Sequence, residues 1–579
     1  MAIEHKFRST AEVRTIDLFC GAGGLTEGFK RSGYDIRFAV DSNKDAWETY
    51  RLNHPDIVAD QAAMKITDLT PAEILDRAGG RVDVALGGPS CQGFSTANRQ
   101  SARDEDERNH LWSHMLAIVR FCKPQAFLLE NVPGLVYWEQ NKFGEKILAG
   151  FRRAGYTVRF EILLAANYGL PQLRRRLFMI GLRDRVAFEF PLPTHMGSSR
   201  RDSREQWEQE RRKLRLLRHI SSWEAIGDLP ALGSGTGGND FICPRPKMVS
   251  PYARRLRSKS NVLHDHEATP LPDEHLELIR HVPAGGTWRD IPGYLLPERF
   301  FGMRRTDSSN LFGRLDPALP AYTVTTQFEN PTVGCNIHPY EDRVLTVREG
   351  ARLQSFQDDY KFHGSLSSRC VQIGNAVPPL LAEVLAGALA RQLGVDAATP
   401  KTLVRPGTIP PPPKDPVTGK KIQIRNPIDS KPSALLRRRL HSLRIRRFRT
   451  AVKPIPNMDR AVDVVFPTAK VAVFVHECFW HGCDAHKAAT LSKTYWWKDG
   501  IENNVRAFDR AARQLRARRW TVIRLWEHQA PDEQVAQVLA ALKIRAPELV
   551  RGVVKSELKS AGDRIAATMN ERPTAADRQ

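Results

Sequence analysis

Neither a membrane span nor a secretory leader is expected. No apolar run approaches eighteen residues and the N-terminus has no charged-then-apolar stretch, so a soluble chain of intracellular type is expected. Cysteine is scarce. The eight that occur, at positions 20, 91, 122, 243, 335, 370, 478 and 483, are spread too thinly for a disulfide scaffold, which leaves buried thiols, nucleophiles or metal ligands. Acidic residues are outnumbered, 65 Asp+Glu against 87 Lys+Arg, and a net charge of +22 draws a polyanion through counterion release and long-range steering. The excess lies in runs such as RRKLRLLRH (211–219) and LLRRRLHSLRIRRFR (435–449), so nucleic acid is the expected partner rather than an evenly solvated basic surface. Length excludes a single core: 579 residues exceed the roughly 250–300 at which one core stops growing, so two to four domains are expected.

Between residue 13 and about 181, the runs VRTIDLF, DIRFAV, VDVAL, AFLLE, VRFEIL and RLFMIG alternate with amphipathic stretches, the pattern of a doubly wound α/β sheet. From 186 to 335 that alternation gives way to Arg, Pro, Gly and Ser, as in an irregular insertion given over to binding. VPPLLAEVLAGALARQL (377–393) reads as a closing helix of a domain spanning 13–395. A Pro-rich linker follows at 396–424, and its RPGTIPPPPKDPVTGKK favours an extended, semi-rigid spacer. Past it, AVDVVF, KVAVFVH and WTVIRLWE read as strands and 498–518 as a basic helix, making a second α/β unit over 425–545; the tail, 546–579, carries no readable chemistry.

DLFCGAGGLTEGF (17–29) puts Gly21, Gly23 and Gly24 between a strand and a helix, where missing side chains let a ligand approach the backbone. About twenty residues on, the strand IRFAV ends in Asp41, the offset at which a carboxylate meets a ribose, so an adenosine-bearing cofactor fits. VDVAL opens into GGPSCQGFS (87–95) and AFLLE ends in Glu130-Asn131, placing a thiol and a carboxylate at strand C-termini, the edge where open α/β sheets bind ligands. Together with RNHL (108–111), ENV (130–132), QLRRR (172–176), LTVREGARLQSF (345–356) and QIGNAVPP (372–379), these segments resemble the cytosine-C5 DNA methyltransferase family over residues 13–395. The resemblance implies a Rossmann-like S-adenosylmethionine-dependent methyltransferase domain with the target-recognition region inserted at 186–335. Cytosine C5 is too poor a nucleophile to take a methyl group until a thiolate adds at C6, and Cys91 is the implied nucleophile. Glu130 would hold or protonate N3, with Arg174 and Arg176 assisting, one at the cytosine carbonyl and one in ordering the loop. S-adenosylmethionine would meet Asp60 at its adenine, Asp41 at its ribose, and Phe19, Leu111 and Asn375 around its pocket. The cytosine must be flipped out of double-stranded DNA. One position departs from the family pattern: Ser90, not proline, precedes the nucleophile.

The second unit holds FVHECFWHGCDAH (474–486). Cys478-x4-Cys483-x2-His486 has the spacing of a metal loop whose thiolates favour zinc, and His528 is the candidate fourth ligand of a closed, structural Cys₂His₂ site. With DSKPSALLRRRLHSLRIRRFR, VDVVF, YWWKDGIENNVRAFDR and WTVIRLWE around it, the segment resembles the very-short-patch mismatch repair endonucleases, which share a restriction-endonuclease-like core. That resemblance implies Mg²⁺ on Asp463 and the Val475 carbonyl, His476 and His481 at the scissile phosphate, and Phe479, Trp480 and Trp497 wedged into the base stack at a T·G mispair. Two positions depart from the pattern: Ser433 stands where related nucleases carry Glu, so one acid is lost, and Phe508 stands where an acid supports the histidine, with the acid shifted one place to Asp509.

The two activities complement one another, because deamination of 5-methylcytosine leaves thymine opposite guanine and a nick on the thymine strand starts its removal. Tethering raises their mutual local concentration. The alternatives are a single-chain restriction–modification enzyme that cuts unmethylated DNA, and a methyltransferase with a catalytically silent DNA-binding module. A cytoplasmic protein, nucleoid-associated and monomeric on DNA, is expected.

Overall fold

The computed structural model describes residues 9–58, 62–89, 111–137, 142–183, 186–197, 204–242, 249–258, 260, 262–292, 295–297, 300, 310–396, 403–413, 432–445, 447–456, 458, 460–476 and 495–550. The chain forms two compact units, Met1–Leu276 with Phe312–Gln423 and Glu277–Leu311 with Ile424–Gln579. The stretch 277–311, which the sequence places inside the insertion, thus groups with the C-terminal unit.

The first unit is built on β1 (Arg14–Leu18), α1 (Gly24–Arg31), β2 (Asp35–Val40), α2 (Lys44–Asn53), β3 (Val84–Gly87), α3 (Leu111–Cys122), β4 (Ala126–Asn131), α4 (Lys142–Arg153), β5 (Thr157–Leu164) and β6 (Arg175–Leu182). Its six-stranded sheet runs β2-β1-β3-β4-β6-β5. β6 is antiparallel to both of its neighbours, while β2, β1, β3 and β4 pair in parallel. Both faces are covered, as a largely parallel sheet requires. Leu86, Leu128, Phe178 and Ile180 face a core shared with Phe29 and Leu381, and Ala85, Phe127, Leu129 and Met179 face a second core with Met115 and Phe151.

The insertion is less irregular than its composition suggests. It contains a hairpin of β7 (Gly237–Ile242) and β8 (Val262–Glu267). Three helices close the unit: α5 (Val347–Leu353), α6 (Leu366–Asn375) and α7 (Pro379–Leu393). Leu366–Leu393 has the length and composition of a membrane span, but 89% of its apolar window is buried inside the unit, as in the core helix of a globular domain. The start of the proline-rich stretch is hydrogen-bonded to the unit. Val404, Gly407 and Pro410 offer their carbonyls to His195, Arg218 and Trp223, and Gly407 N–H donates to Glu224.

The second unit contains α8 (Pro432–Ser442), β9 (Arg449–Val452), β10 (Val462–Phe466), β11 (Val471–His476), α9 (Tyr495–Ala517), β12 (Thr521–Trp526) and α10 (Pro531–Arg545), with sheet order β9-β10-β11-β12. Only the β11/β12 pair is parallel. Strand alternation sorts the core: Val464, Val473 and Val475 pack with Leu436 and Leu440 of α8 and Leu539 of α10, whereas Val465, Ala472 and Phe474 pack with Phe508, Ala511 and Leu515 of α9.

Candidate functional site

Strand register assembles the first site. Leu18, Val40, Gly87 and Leu129 stand in one row across the four parallel strands. The next residues along, Phe19, Asp41, Gly88 and Glu130, therefore share the C-terminal edge, beside the switch point between β1, whose connection runs to β2 on one side, and β3, whose connection runs to β4 on the other. Phe19 turns the chain there with φ +61. Asp41 secures the turn, its Oδ2 accepting the Gly21 N–H at 2.8 Å and its Oδ1 that of Asn43 at 2.8 Å. Burial pushes the Asp41 carboxyl up from its ordinary value, and these backbone donors oppose the rise.

The glycines divide the labour. A Cβ on Gly24 would stand 2.1 Å from the Val377 carbonyl oxygen, so only glycine lets α1 dock against the chain after α6, whereas one on Gly21 would meet nothing within 4 Å. An open, glycine-lined helix entry of this kind fits the close approach of an adenosine cofactor. Asn375 is exposed at the end of α6 and Leu111 is half-buried at the start of α3. Cys91 and Asp60 lie outside the described residues.

Glu130, next to the last residue of β4, is almost fully buried, and Arg176 of β6 reaches it, Nε to Oε1 at 3.1 Å. Burial pushes the Glu130 carboxyl up, while the charges of Arg176 and Arg174 pull it back. Burial disfavours the ionised form of a carboxyl so placed, which suits it to pass a proton to a developing anion. The two arginines have different partners. Arg174 is buried and donates to the carbonyls of Val324 at 3.2 Å, Gly374 at 2.8 Å and Ala376 at 3.1 Å, which fixes the segment bearing Asn375. Asn131 had no role in the sequence reading. Its Nδ2 donates to the Pro89 carbonyl at 3.1 Å and its Oδ1 accepts the Val132 N–H at 2.8 Å, tying the approach to Cys91 to the strand that carries Glu130.

In the second unit, Asp463 of β10 accepts the Val475 N–H at 2.9 Å, so the two expected Mg²⁺ ligands are neighbours on paired strands. His476 is fully buried. Its Nδ1 accepts from Arg524 Nε at 3.1 Å, and its ring meets Phe508 edge-on at 4.5 Å. Arg524 itself lies over the rings of Phe508 and Trp526, at 5.0 and 4.3 Å. The position expected to carry an acid is thus a core aromatic. His528 stacks on Trp526 at 6.3 Å. Among the described residues no three His, Cys, Asp or Glu side chains gather as a metal site. The other expected zinc ligands, Cys478, Cys483 and His486, lie outside the described residues, as do His481, Phe479 and Trp480, and Trp497 is described only as a position on α9.

Residues 13–391 match the family model of the C-5 cytosine-specific DNA methylases. The chain belongs to that family. It is 33% identical over 431 residues to the type II methyltransferase M.AgeI of Thalassovita gelatinovora, an alignment covering 65% of this chain and 98% of that one. It is 32% identical over 376 residues to the type II methyltransferase M1.HphI of Haemophilus parahaemolyticus, over 65% and 86% of the two chains. Residues 418–487 match a second family model, the DNA mismatch endonuclease Vsr. The six-stranded unit is thus a Rossmann-like methylase domain, and an endonuclease-like module lies C-terminal to it.

Within the methylase domain, Asp17 is a further buried carboxylate beneath the cofactor loop. Its Oδ2 accepts both the N–H of Thr26 at 3.1 Å and its hydroxyl at 2.7 Å, which anchors the first turn of α1. Burial pushes its pKa up to about 7, against the two Thr26 donors and with a smaller push from Asp41. A carboxyl whose folded pKa lies above the unfolded value stabilises the fold while protonated, and that contribution is lost as pH rises from the unfolded value through the folded one. Asp17→Asn is therefore expected to gain on the parent protein between pH 4 and 7, by up to about 4 kcal/mol at about 1.4 kcal/mol per unit. Urea unfolding at a series of pH values reads this, and a pH-independent difference between the two proteins refutes it.

Proposed function

We propose that the chain methylates cytosine at C5 within a specific sequence of double-stranded DNA, and that its C-terminal unit nicks the T·G mismatch left when the product deaminates. The observation that carries the first part is Glu130, buried at the sheet edge, paired with Arg176 and linked through Asn131 to the loop before Cys91. Addition of the Cys91 thiolate to C6 turns C5 into an enamine carbon, and a proton from Glu130 at N3 takes up the charge. After C5 is methylated, loss of the C5 proton to a base, expulsion of the Cys91 thiolate and return of the N3 proton to Glu130 restore the ring. Bound S-adenosylmethionine supplies the methyl group. The flipped base leaves the duplex at an unstacking cost, and the insertion at 186–335 reads its context.

The nicking half is supported by the match to the Vsr family and by the pairing of Asp463 with the Val475 backbone. Mg²⁺ on these residues would neutralise charge at the scissile phosphate, and zinc on Cys478, Cys483, His486 and His528 would staple the intervening loop. A second reading has its own observation. Phe508 is part of the core and Arg524 occupies Nδ1 of His476, an arrangement that suits a DNA-binding module that does not cut. One assay separates the readings: purified protein with Mg²⁺ is given T·G-mismatched, matched unmethylated and fully methylated duplexes bearing its target. Nicking of the mismatched duplex alone is the expected result. Cleavage of matched unmethylated DNA instead establishes restriction, and no cleavage establishes the silent module.

A further inference from the structure

The loop joining β1 to α1 has an open side at Gly21 and a filled side beneath Gly23. A Cβ on Gly23, whose φ is +85, would stand 2.6 Å from Tyr360 Oη and 3.0 Å from His54 Nε2. Tyr360 comes from the segment between α5 and α6, far away in sequence, and its hydroxyl lies 2.6 Å from the Ala22 carbonyl oxygen in the middle of the loop. Tyr360 Oη also lies 3.1 Å from His54 Nε2, and both side chains are buried.

Counting protons fixes the direction of this chain. The Ala22 carbonyl can only accept, so the single phenolic proton goes to it, and the bond between His54 and Tyr360 must then use an Nε2–H of the imidazole. Nδ1 is left bare, and it is buried without a hydrogen-bond partner among the described residues. Burial pushes His54 down to about 4, with Glu27 pulling the other way, so the neutral ring this scheme requires is the resting form. Glu27 stands 3.9 Å from Nε2, beyond hydrogen-bond reach, and holds Arg31 instead. The Tyr360 backbone is itself anchored, its carbonyl accepting from Arg348 Nη2 at 2.6 Å. Asp265 of β8 accepts from the same guanidinium nitrogen and from the Phe362 N–H. The hydroxyl is therefore fixed from below while the loop is open above.

We infer that His54 and Tyr360 are positioning residues for S-adenosylmethionine: a relay from His54 Nε2–H to Tyr360 Oη–H to the Ala22 carbonyl sets the Ala22–Gly23 peptide beneath the cofactor and takes no part in binding DNA. Removing the hydroxyl leaves a buried acceptor and a buried donor unmatched, and the loop relaxes at the expense of cofactor affinity.

The test uses the full chain and S-adenosylmethionine itself. Tyr360→Phe is expected to raise the dissociation constant for S-adenosylmethionine about tenfold by titration calorimetry. The KM for DNA and the rate at saturating cofactor should change by less than about twofold. His54→Leu should weaken the cofactor in the same way, and His54→Gln, which keeps an N–H donor, should recover most of the loss. The double variant Tyr360→Phe/His54→Leu should be no worse than Tyr360→Phe alone, because both act through one carbonyl. Unchanged cofactor affinity in Tyr360→Phe, whether or not the melting temperature falls, overturns the inference. So does a parallel rise in the constants for DNA and cofactor, or a double variant that is fully additive.

Discussion

Cys91→Ala is expected to abolish methyl transfer and to leave strand cleavage intact, whereas Asp463→Ala is expected to do the reverse. Glu130→Gln should lower methyl transfer by about 10²–10⁴-fold, the usual share of a general acid. The amide cannot deliver the proton that N3 needs, and it leaves the Arg176 guanidinium, 3.1 Å from the lost carboxylate, facing a neutral group. Arg174 is a contrasting case. Its hydrogen bonds go to the carbonyls of Val324, Gly374 and Ala376, so Arg174→Met should act chiefly on cofactor affinity through the Asn375 segment. Transfer of labelled methyl groups to duplex DNA and nicking of a T·G duplex, measured on the same preparations, report the two activities side by side. Methylation by Cys91→Ala at the parent rate would remove the central assignment.

The sheet and its edge were legible because they are written locally. β-branched runs bounded by Gly, Asp or Glu name both the strand and the residue at its C-terminal end, and DIRFAV is the observed β2 residue for residue. Long-range polar packing was not legible. VREGARL looks like a solvated helix on charge alone, yet in α5 Arg348, Glu349 and Arg352 are all buried. Tyr360 and Asn131 were not legible for the same reason, since each acts on a backbone carbonyl that sequence spacing does not locate, and His54 acts only through Tyr360. A further limit shows at 404–411, where proline content reads as an extended, semi-rigid spacer and gives no sign of the partners that Trp223, Arg218 and Glu224 supply from elsewhere in the unit. Phe508 shows a third limit. A missing acid is visible in sequence, but its replacement by an aromatic that packs on His476 and underlies Arg524 is visible only in three dimensions.

Asp228→Ala is expected to destabilise the methylase unit by about 3–5 kcal/mol, the cost of leaving a buried charge without its partner. Arg352 is fully buried between two carboxylates, with Nε 2.7 Å from Asp358 Oδ1, Nη2 2.7 Å from Asp358 Oδ2, and Nη1 donating to Asp228. Arg257 closes the set with a 2.6 Å bond from Nη1 to Asp228 Oδ2. Two arginines and two aspartates balance, so removing one aspartate strands a positive charge in the core. Asp228 follows the Ser222–Ile226 helix of the insertion and Asp358 follows α5, so the network also sets how the insertion meets the sheet domain. The pH dependence runs opposite to that of Asp17. The arginines, Arg352 foremost, hold the Asp358 carboxyl below its ordinary value against the opposing effect of burial, so its contribution is present above the unfolded pKa and is lost as pH falls through the folded one. Replacing Arg352, Asp228 and Asp358 together by Met, Leu and Leu should recover much of the loss, because apolar side chains can fill such a site without a desolvation cost. Urea unfolding of the single and triple variants measures both effects, and a loss below about 1 kcal/mol for Asp228→Ala would mean the network contributes no more than an exposed ion pair.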